Sequence, residues 1–190
     1  MTQPGVFWLL RLPFLDVIGL YSNAGENPGF ISGAIPGQHQ KKWLVSTLKA
    51  LAKERKSGTR RGLIMATHHP PFSSGGHSGS FDMLADIDNA CAAGGVFPDL
   101  FLSAHSHSYQ CYIRSLHGRQ IPYIVAGMGG INDQAVPAAT GQHEGDHTFV
   151  KSRKGFGYML LEATSGTITA QMIAVEGEKR HDFHKIDVTL

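Results

Sequence analysis

The sequence predicts an α/β protein in which sheets pack face to face and helices lie outside them. In the first half of the 190-residue chain, short apolar runs alternate with amphipathic helical segments, which is typical of parallel strands joined by helices. In the second half the apolar runs follow one another with turn residues between most of them, which is typical of antiparallel hairpins. The length suits one domain, residues 1–190.

The first half predicts three strands and two helices. The first helix begins after Pro36 and ends at Ser57-Gly58, because apolar residues recur there at helical spacing. A shorter helix begins at Phe81 and ends at Gly94-Gly95. Residues 23–37 are rich in Gly, Asn and Pro and predict a surface loop. The strands are the apolar runs 14–21, 62–66 and 99–103.

The second half predicts mostly antiparallel strands. A long loop, residues 127–154, is expected within this half. It contains a mixed His and carboxylate patch, residues 142–147, which is interpreted as solvated; the alternative is a loop that arches over a substrate site. The strand-like runs are 109–113, 121–126, 157–163, 167–175 and 183–188.

Composition excludes several classes of protein. A hydrophobic fraction of 42% with 17% charged residues excludes a disordered chain or a coiled coil, and a net charge of +2 is too small for a nucleic-acid scaffold. No run approaches the ~20 apolar residues of a membrane span. The opening apolar run 7–15 is interrupted by Arg11 and Pro13, so it predicts buried structure, not a signal segment. Cys91 and Cys111 fit no zinc motif; they either pair or stay reduced.

Two predicted strands each end in a cluster of histidines. His68 and His69 follow strand 62–66, and His105 and His107 follow strand 99–103. If these strands are parallel neighbours, both clusters leave at the carboxyl edge, where open α/β sheets place ligand sites. Residues two apart point the same way on an extended chain, so His105 and His107 are expected to converge on one or two metal ions. Neutral imidazole suits Zn, Fe, Mn or Ni.

These segments resemble motifs of the calcineurin-like metallophosphoesterases, especially of purple-acid-phosphatase-like members. Residues 99–110 (DLFLSAHSHSYQ) are similar to the last metal motif, an apolar strand followed by Gly-His-x-His. Residues 64–71 (IMATHHPP) are similar to the preceding motif, with His68 as the ligand and His69 at a variable position. His77 resembles the outer-shell histidine that touches the substrate phosphate. Weaker similarities are those of residues 37–44, 121–130 and 155–162.

The resemblance implies the C-terminal half of a four-layer α/β/β/α sandwich with a mixed sheet and antiparallel hairpins. It implies a hydrolase of the phosphatase type, in which a metal-bound hydroxide attacks a phosphate ester. His68 and His105 are the implied ligands of one metal, and His107 of the other. His77 would stabilise phosphoryl charge or protonate the leaving oxygen. The implied cofactors are Fe, Mn or Zn, dinuclear if the missing half is supplied.

The first three motifs of that family do not occur in this sequence: Asp-x-His, Gly-Asp-x-x-Asp and Gly-Asn-His followed by Glu or Asp. Three imidazoles without a carboxylate cannot neutralise or bridge two divalent ions. The chain is therefore interpreted as part of a longer enzyme, as a half that a partner chain completes, or as a degenerate homologue. Half of a sandwich exposes an apolar sheet face, so a homo-oligomer is expected.

Three functions are compatible with these observations. The first is a metal-dependent phosphoesterase acting on a phosphate ester. The second is a non-catalytic remnant or interaction module that retains the scaffold. The third is a mononuclear zinc-type hydrolase that uses His68, His105 and His107 and keeps an open position for water. Whether the chain is an enzyme depends on the missing acidic ligands, and the sequence indicates neither substrate nor compartment.

Overall fold

The computed structural model describes residues 1–33, 37–139 and 141–190. In chain order the elements are β1 (Trp8–Arg11), β2 (Leu15–Gly19), α1 (Gly37–Lys56), β3 (Gly62–Ala66), α2 (Phe81–Gly94), β4 (Leu100–Ser103), β5 (Tyr109–Leu116), β6 (Arg119–Ala126), β7 (His143–Glu144), β8 (His147–Arg153), β9 (Phe156–Ala163), β10 (Thr167–Glu176) and β11 (Lys179–Thr189). They form an eight-stranded sheet, in the order β1-β2-β3-β4-β6-β5-β8-β7, and a three-stranded sheet, in the order β11-β10-β9.

The larger sheet is mixed and the smaller one is antiparallel. Strands β2, β3, β4 and β6 run parallel to one another, whereas β1 at one edge and β5, β8 and β7 towards the other edge are paired antiparallel. This confirms the predicted α/β class with a mixed sheet and antiparallel hairpins. Strands β3 and β4 are parallel neighbours, with Ala66 opposite Leu102. The histidines that follow them therefore leave the sheet at the same edge.

The alternation of side chains along β3 explains why the sheet is covered on both faces. Leu63 and Met65 pack with the helices, in a core that includes Leu44 and Met83. Ile64 lies between them in sequence and packs on the opposite face, against the three-stranded sheet, with Ile168. Side chains alternate across a strand, so a strand buried on both faces is apolar at every position. The described residues thus form three layers: helices, mixed sheet and antiparallel sheet.

Polar side chains fix the ends of the helices next to the candidate site. Ser80 caps α2 by accepting from Met83 N at 3.3 Å, and its hydroxyl donates to Gly29 O at 2.6 Å, which anchors the loop after β2. The amide of Gln40 in α1 is fully buried and bonds both N and O of Tyr21. The predicted start after Pro36 agrees with α1, although Pro36 itself lies outside the described residues.

The predicted long loop, residues 127–154, is wrong in its second part, where β7 and β8 form a hairpin. The β-forming run Thr148–Val150 adds β8 to the edge of β5, and Gly145 at φ +60° lies in the tight turn. The histidine of the patch at 147 is buried and stacks on Phe72, with ring centroids 4.0 Å apart. The conformation of this segment depends on its pairing with β5, because its own strand-like pattern is short and interrupted.

Three smaller expectations also have outcomes. Neither helix in the described ranges combines the length and apolarity that crossing a bilayer requires. Cys91 and Cys111 are both buried and unpaired, and burial raises the pKa of each thiol to about 12. The opening apolar run is buried at Phe7 but exposed at Phe14, so it covers the sheet only in part.

Candidate functional site

The histidine segments after β3 and β4 are joined by backbone hydrogen bonds. Thr67 N donates to Leu102 O at 3.0 Å, and Ala104 N donates to His68 O at 2.9 Å. These bonds continue the ladder between the two strands beyond their ends. The result brings Nε2 of His68 to 3.0 Å from Nδ1 of His105. The predicted meeting of the two clusters therefore occurs between these two side chains.

The chain is not extended between His105 and His107, contrary to the expectation from their spacing. His105 has a φ of +62°, a left-handed conformation that is uncommon for residues other than glycine. Ser106 N and Ser108 N each donate to the carbonyl two residues earlier, at 2.7 Å, so the segment is tightly turned. As a consequence the two imidazoles have different polar partners. His105 faces His68, whereas Nδ1 of His107 hydrogen-bonds Oδ1 of Asn132.

Asn27 orients His105. Its Oδ1 lies 3.1 Å from Nε2 of His105 and, as a carbonyl oxygen, can only accept. In a neutral ring the proton is then on Nε2, which leaves the lone pair of Nδ1 directed to His68. A histidine that binds a metal usually donates its other N–H to a carbonyl or carboxylate, and Asn27 supplies that partner.

Ser22 holds His69 at the back of the cluster. The Ser22 hydroxyl oxygen accepts from His68 N and His69 N, at 3.1 and 3.0 Å, and lies 3.1 Å from Nδ1 of His69. With both lone pairs used, the hydroxyl donates to Nδ1, so the proton of a neutral His69 is on Nε2. Gly29, at φ +99°, packs on this ring: a Cβ there would lie 2.3 Å from Cγ of His69.

Gln134 joins the two remaining histidines. Its Oε1 accepts from His107 N and its own N donates to His107 O, both at 2.8 Å. The backbone N–H of His107 can only donate, so it fixes which end of the amide is oxygen. The other end, Nε2 of Gln134, lies 3.2 Å from Nε2 of His77 and donates to it. The Nε2 atom of His77 therefore carries a lone pair, and its neutral ring is protonated on Nδ1.

Replacing Gln134 by alanine is expected to release the tautomer of His77. Nitrogen chemical shifts of the neutral ring, measured by NMR, should report the Nδ1–H form in the wild type and a mixture with the Nε2–H form in the variant. Gln120→Ala is a matched control, because that amide bonds Ser115 across the β5–β6 hairpin, outside the histidine group of the site. An unchanged His77 spectrum in Gln134→Ala would contradict the assignment.

Burial and mutual repulsion favour the neutral form of His105 and His69. The pKa of His105 is lowered to about 4, first by desolvation and then by the neighbouring histidines, of which His69 contributes most. Desolvation likewise lowers the pKa of His69, and the carboxylate of Glu26 opposes this shift. Neutral imidazole is the form that binds metals.

The lowered pKa of His105 makes the free energy of unfolding of the metal-free protein depend on pH. Below pH ~6.5 the unfolded chain takes up a proton that the folded chain does not, so stability is complete above that pH and falls as pH decreases towards 4. The urea concentration at the midpoint of unfolding should decrease from pH 7.5 to pH 5.5. It should decrease less steeply in His105→Gln than in the wild type. The exposed His181 serves as the control position. Equal slopes in wild type and His105→Gln would contradict this prediction.

The site includes residues that the sequence pattern did not indicate. The family resemblance assigns His69 to a variable position, yet its ligating atom lies within 4.8 Å of those of His68 and His105. Asn27 comes from the loop 23–33. Its position in a Gly- and Asn-rich loop that follows a strand is the sequence feature that could have indicated a role in the site. Asn132 and Gln134 lie in the loop after β6, and no sequence pattern indicated that they belong to the site. Asp16, an acidic residue in β2, does not belong to this group and forms an ion pair with Arg61.

The donor atoms fit a transition metal ion. Adjacent ligands at ~2.1 Å from an ion and at right angles are ~3.0 Å apart, which matches the separation of His68 Nε2 and His105 Nδ1. Both side chains are partly or fully accessible, so an ion has a path to them. Within the described ranges, the group around these atoms contains histidines and no carboxylate. The set suits Zn, Fe or Mn but does not balance the charge of two ions.

The architecture and the position of the histidine group define the class of fold. The mixed sheet, the antiparallel sheet and the outer helices are similar to metallophosphoesterase folds. No family model matches the chain, and no curated protein matches its sequence.

Three solved structures illustrate this similarity. Purple acid phosphatase PPD1 from yellow lupin seeds superimposes with a TM-score of 0.68 at 12% identity, over 96% of this chain and 32% of that one. GAP50, the anchor in the inner membrane complex of Plasmodium, has a TM-score of 0.63 at 16% identity, over 99% and 56%. PhoD has a TM-score of 0.56 at 13% identity, over 97% and 41%. The chain therefore spans between about a third and just over half of the length of these structures.

Proposed function

We propose that this chain carries metal ligands of a metal-dependent phosphoesterase and takes part in the hydrolysis of a phosphate ester. The observation that supports this most is the pair of imidazole nitrogens 3.0 Å apart, at the carboxyl edge of parallel strands, in a fold similar to that of phosphatases. A divalent or trivalent ion bound there would supply Lewis acidity to the phosphate oxygens and lower the pKa of water.

Each histidine has a separate role in this proposal. His68 and His105 hold one ion, and Asn27 keeps His105 in the tautomer that leaves Nδ1 free. His107 donates from Nδ1 to Asn132, which leaves its Nε2 available for a second ion. His77 lies next to His105, with ring centroids 4.2 Å apart, and in this proposal would contact the phosphate of the substrate. Its Nε2 accepts from Gln134, so a proton given to a leaving oxygen comes from Nδ1.

One observation supports the non-catalytic alternative, so the experiment is designed to distinguish it from the phosphoesterase. The histidine group contains no carboxylate within the described residues, so the affinity for a pair of ions would depend on acidic groups from elsewhere. An interaction module that retains the scaffold and binds one ion weakly is consistent with the same geometry.

Metal content and turnover distinguish these functions. The purified chain is titrated with Zn²⁺, Mn²⁺ and Fe²⁺, and hydrolysis of p-nitrophenyl phosphate is followed at each metal ratio. We expect metal-dependent hydrolysis that the variant His68→Ala/His105→Ala lacks. Metal binding without hydrolysis would support the non-catalytic module, and one zinc with carboxylic-ester but no phosphate-ester hydrolysis would support the mononuclear hydrolase. Hydrolysis that persists in the double variant would overturn all three assignments of the site.

We propose that a second copy of this chain covers the outer face of β9. Phe156, Tyr158 and Leu160 alternate along this edge strand and are 43–45% exposed, and no described strand pairs with it on its free side. The other edge, β11, presents charged residues instead, a common protection against edge pairing. Two antiparallel copies of β9 centred on Tyr158 would place Phe156 of each against Leu160 of the other, which is self-complementary.

Leu160→Lys is therefore expected to shift the chain from dimer to monomer in sedimentation velocity, because a charge on the strand face opposes edge pairing. Leu12→Lys is the matched control, since Leu12 is 43% exposed on a different edge and should leave the dimer intact. If the wild-type chain sediments as a monomer at 100 µM, roughly the dissociation constant of a weak dimer, the proposal that a second copy covers this face is refuted.

A further inference from the structure

A cavity of about 290 Å³ lies on the helix side of the mixed sheet, apart from the histidine group. Aromatic rings form one part of its lining, and polar residues such as Ser73 and Ser74 form the other. Phe72 stacks on the imidazole of His147, with ring centroids 4.0 Å apart and planes at 22°, and Tyr112 stacks on Phe149, at 4.7 Å and 18°. Phe81, at the start of α2, is 63% exposed and borders the opening. An exposed Phe beside an aromatic cavity indicates a surface that a ligand covers.

The charge of this cavity is negative. Among the described residues that line it, Glu144 bears the formal negative charge and none is Lys or Arg. Two acidic groups nearby share one cation, because Arg114 donates to Asp88 at 2.6 and 2.8 Å and to Asp146 at 2.6 Å, so this triad adds no positive charge. The carboxylate of Glu144 lies close enough to Tyr112 to raise the pKa of that phenol, although burial is the larger cause. A phosphate ester would be repelled from such a cavity.

We propose that this cavity binds an organic cation of the alkylated ammonium class, with Glu144 as its counter-ion. The exposed ring of Phe81 carries the negative part of the aromatic quadrupole on its face, which attracts an ammonium group. Phe72 and Tyr112, each 3% exposed, line the cavity behind it. A cation with methyl groups also buries apolar area against these rings, whereas a bare ammonium keeps its hydration. This site is independent of the proposed metal site, since no lining residue belongs to the histidine group.

Choline and its uncharged isostere 3,3-dimethylbutan-1-ol are the probes for the test. Aromatic NMR signals of the metal-free chain are followed while each compound is added. We expect saturable shifts at Phe81 and Tyr112 with choline, and affinity for the alcohol that is weaker by at least roughly two- to fivefold, the range of an exposed cation–π contact. Shifts confined to the histidine group, equal affinities for the two compounds, or no shifts would each overturn the proposal.

Two variants assign the binding to these residues. Glu144→Gln should weaken choline binding by roughly two- to fivefold, as expected for a partly exposed ion pair, and leave the alcohol unaffected. Phe81→Ala, at an exposed position, should weaken both. Glu178→Gln, in the β10–β11 turn, is the matched control with the same change of charge and should behave as wild type. Equal choline affinity in wild type and Glu144→Gln would overturn the role of Glu144. Because neither probe contains phosphate or needs a metal, failure here leaves the phosphoesterase proposal intact.

Discussion

Replacing His105 by alanine is expected to lower the affinity for Zn²⁺ or Mn²⁺ by more than the ~10–100-fold that loss of a second-shell partner costs, because it removes one of the two converging nitrogens. Asn27→Ala, which removes only the acceptor of the His105 N–H, should fall within that ~10–100-fold range. Isothermal titration calorimetry at pH 7.5 measures both.

The same titration separates two ligand sets. If the resemblance to metallophosphoesterases places the ligands correctly, His107→Ala loses a second ion and leaves the first in place. If His69 completes the group instead, His69→Ala weakens the first ion, although Ser22 must then give up its bond to Nδ1. His181→Ala, on the exposed part of β11, is the control. Unchanged affinity in His105→Ala would refute the site.

Replacing Asp99 by alanine is expected to lower the free energy of unfolding by about 3–5 kcal/mol, because it leaves the buried N–H of Leu63 without an acceptor and three partly exposed arginines without their shared counter-ion. The Asp99 carboxylate is fully buried. It accepts from Leu63 N at 2.8 Å and from Arg55 at 3.1 Å, and it also bonds Arg119. Burial lowers the pKa of Arg55, and the Asp99 carboxylate opposes this shift.

Thermal and urea unfolding measure this loss. For a chain of this size it corresponds to a decrease in Tm of about 6–20 °C. Asp99→Asn keeps an acceptor for the Leu63 N–H and should lose less. Asp187→Ala removes an exposed carboxylate that bonds Thr169 and should change Tm little. A Tm of Asp99→Ala close to that of the wild type would contradict the network.

The sequence predicted those elements whose own pattern is strong. Strand β3 is predicted to the residue because five consecutive apolar or small positions can be satisfied only by a strand buried on both faces. Helix α2 is predicted at both ends because apolar residues recur at helical spacing from Phe81 and Gly94-Gly95 ends that pattern. Strand β8 was missed because its stability comes from pairing with β5, forty residues away along the chain.

The candidate site divides in the same way. His68 and His105 were predicted because each comes directly after an apolar strand, and two parallel neighbouring strands deliver their next residues to the same edge of the sheet. The orientation of His107 was not predicted, because it depends on the left-handed conformation of His105. It also depends on the loop after β6, in which Asn132 bonds the ring of His107 and Gln134 bonds its backbone. No local pattern distinguishes such a loop from any other polar loop.

The sequence by itself determined the α/β class, the strands that deliver the histidines and the edge at which these meet, since each follows from periodicity and chain direction. The tertiary structure alone decided which nitrogens converge, how Asn27, Ser22 and Gln134 fix their protons, and which strand face is left uncovered. The physical reason is how far apart in sequence the interacting residues lie. Buried and exposed positions alternate every two residues along a strand, so the sequence shows them as a pattern. Hydrogen bonds between loops join residues far apart in sequence and produce no such pattern.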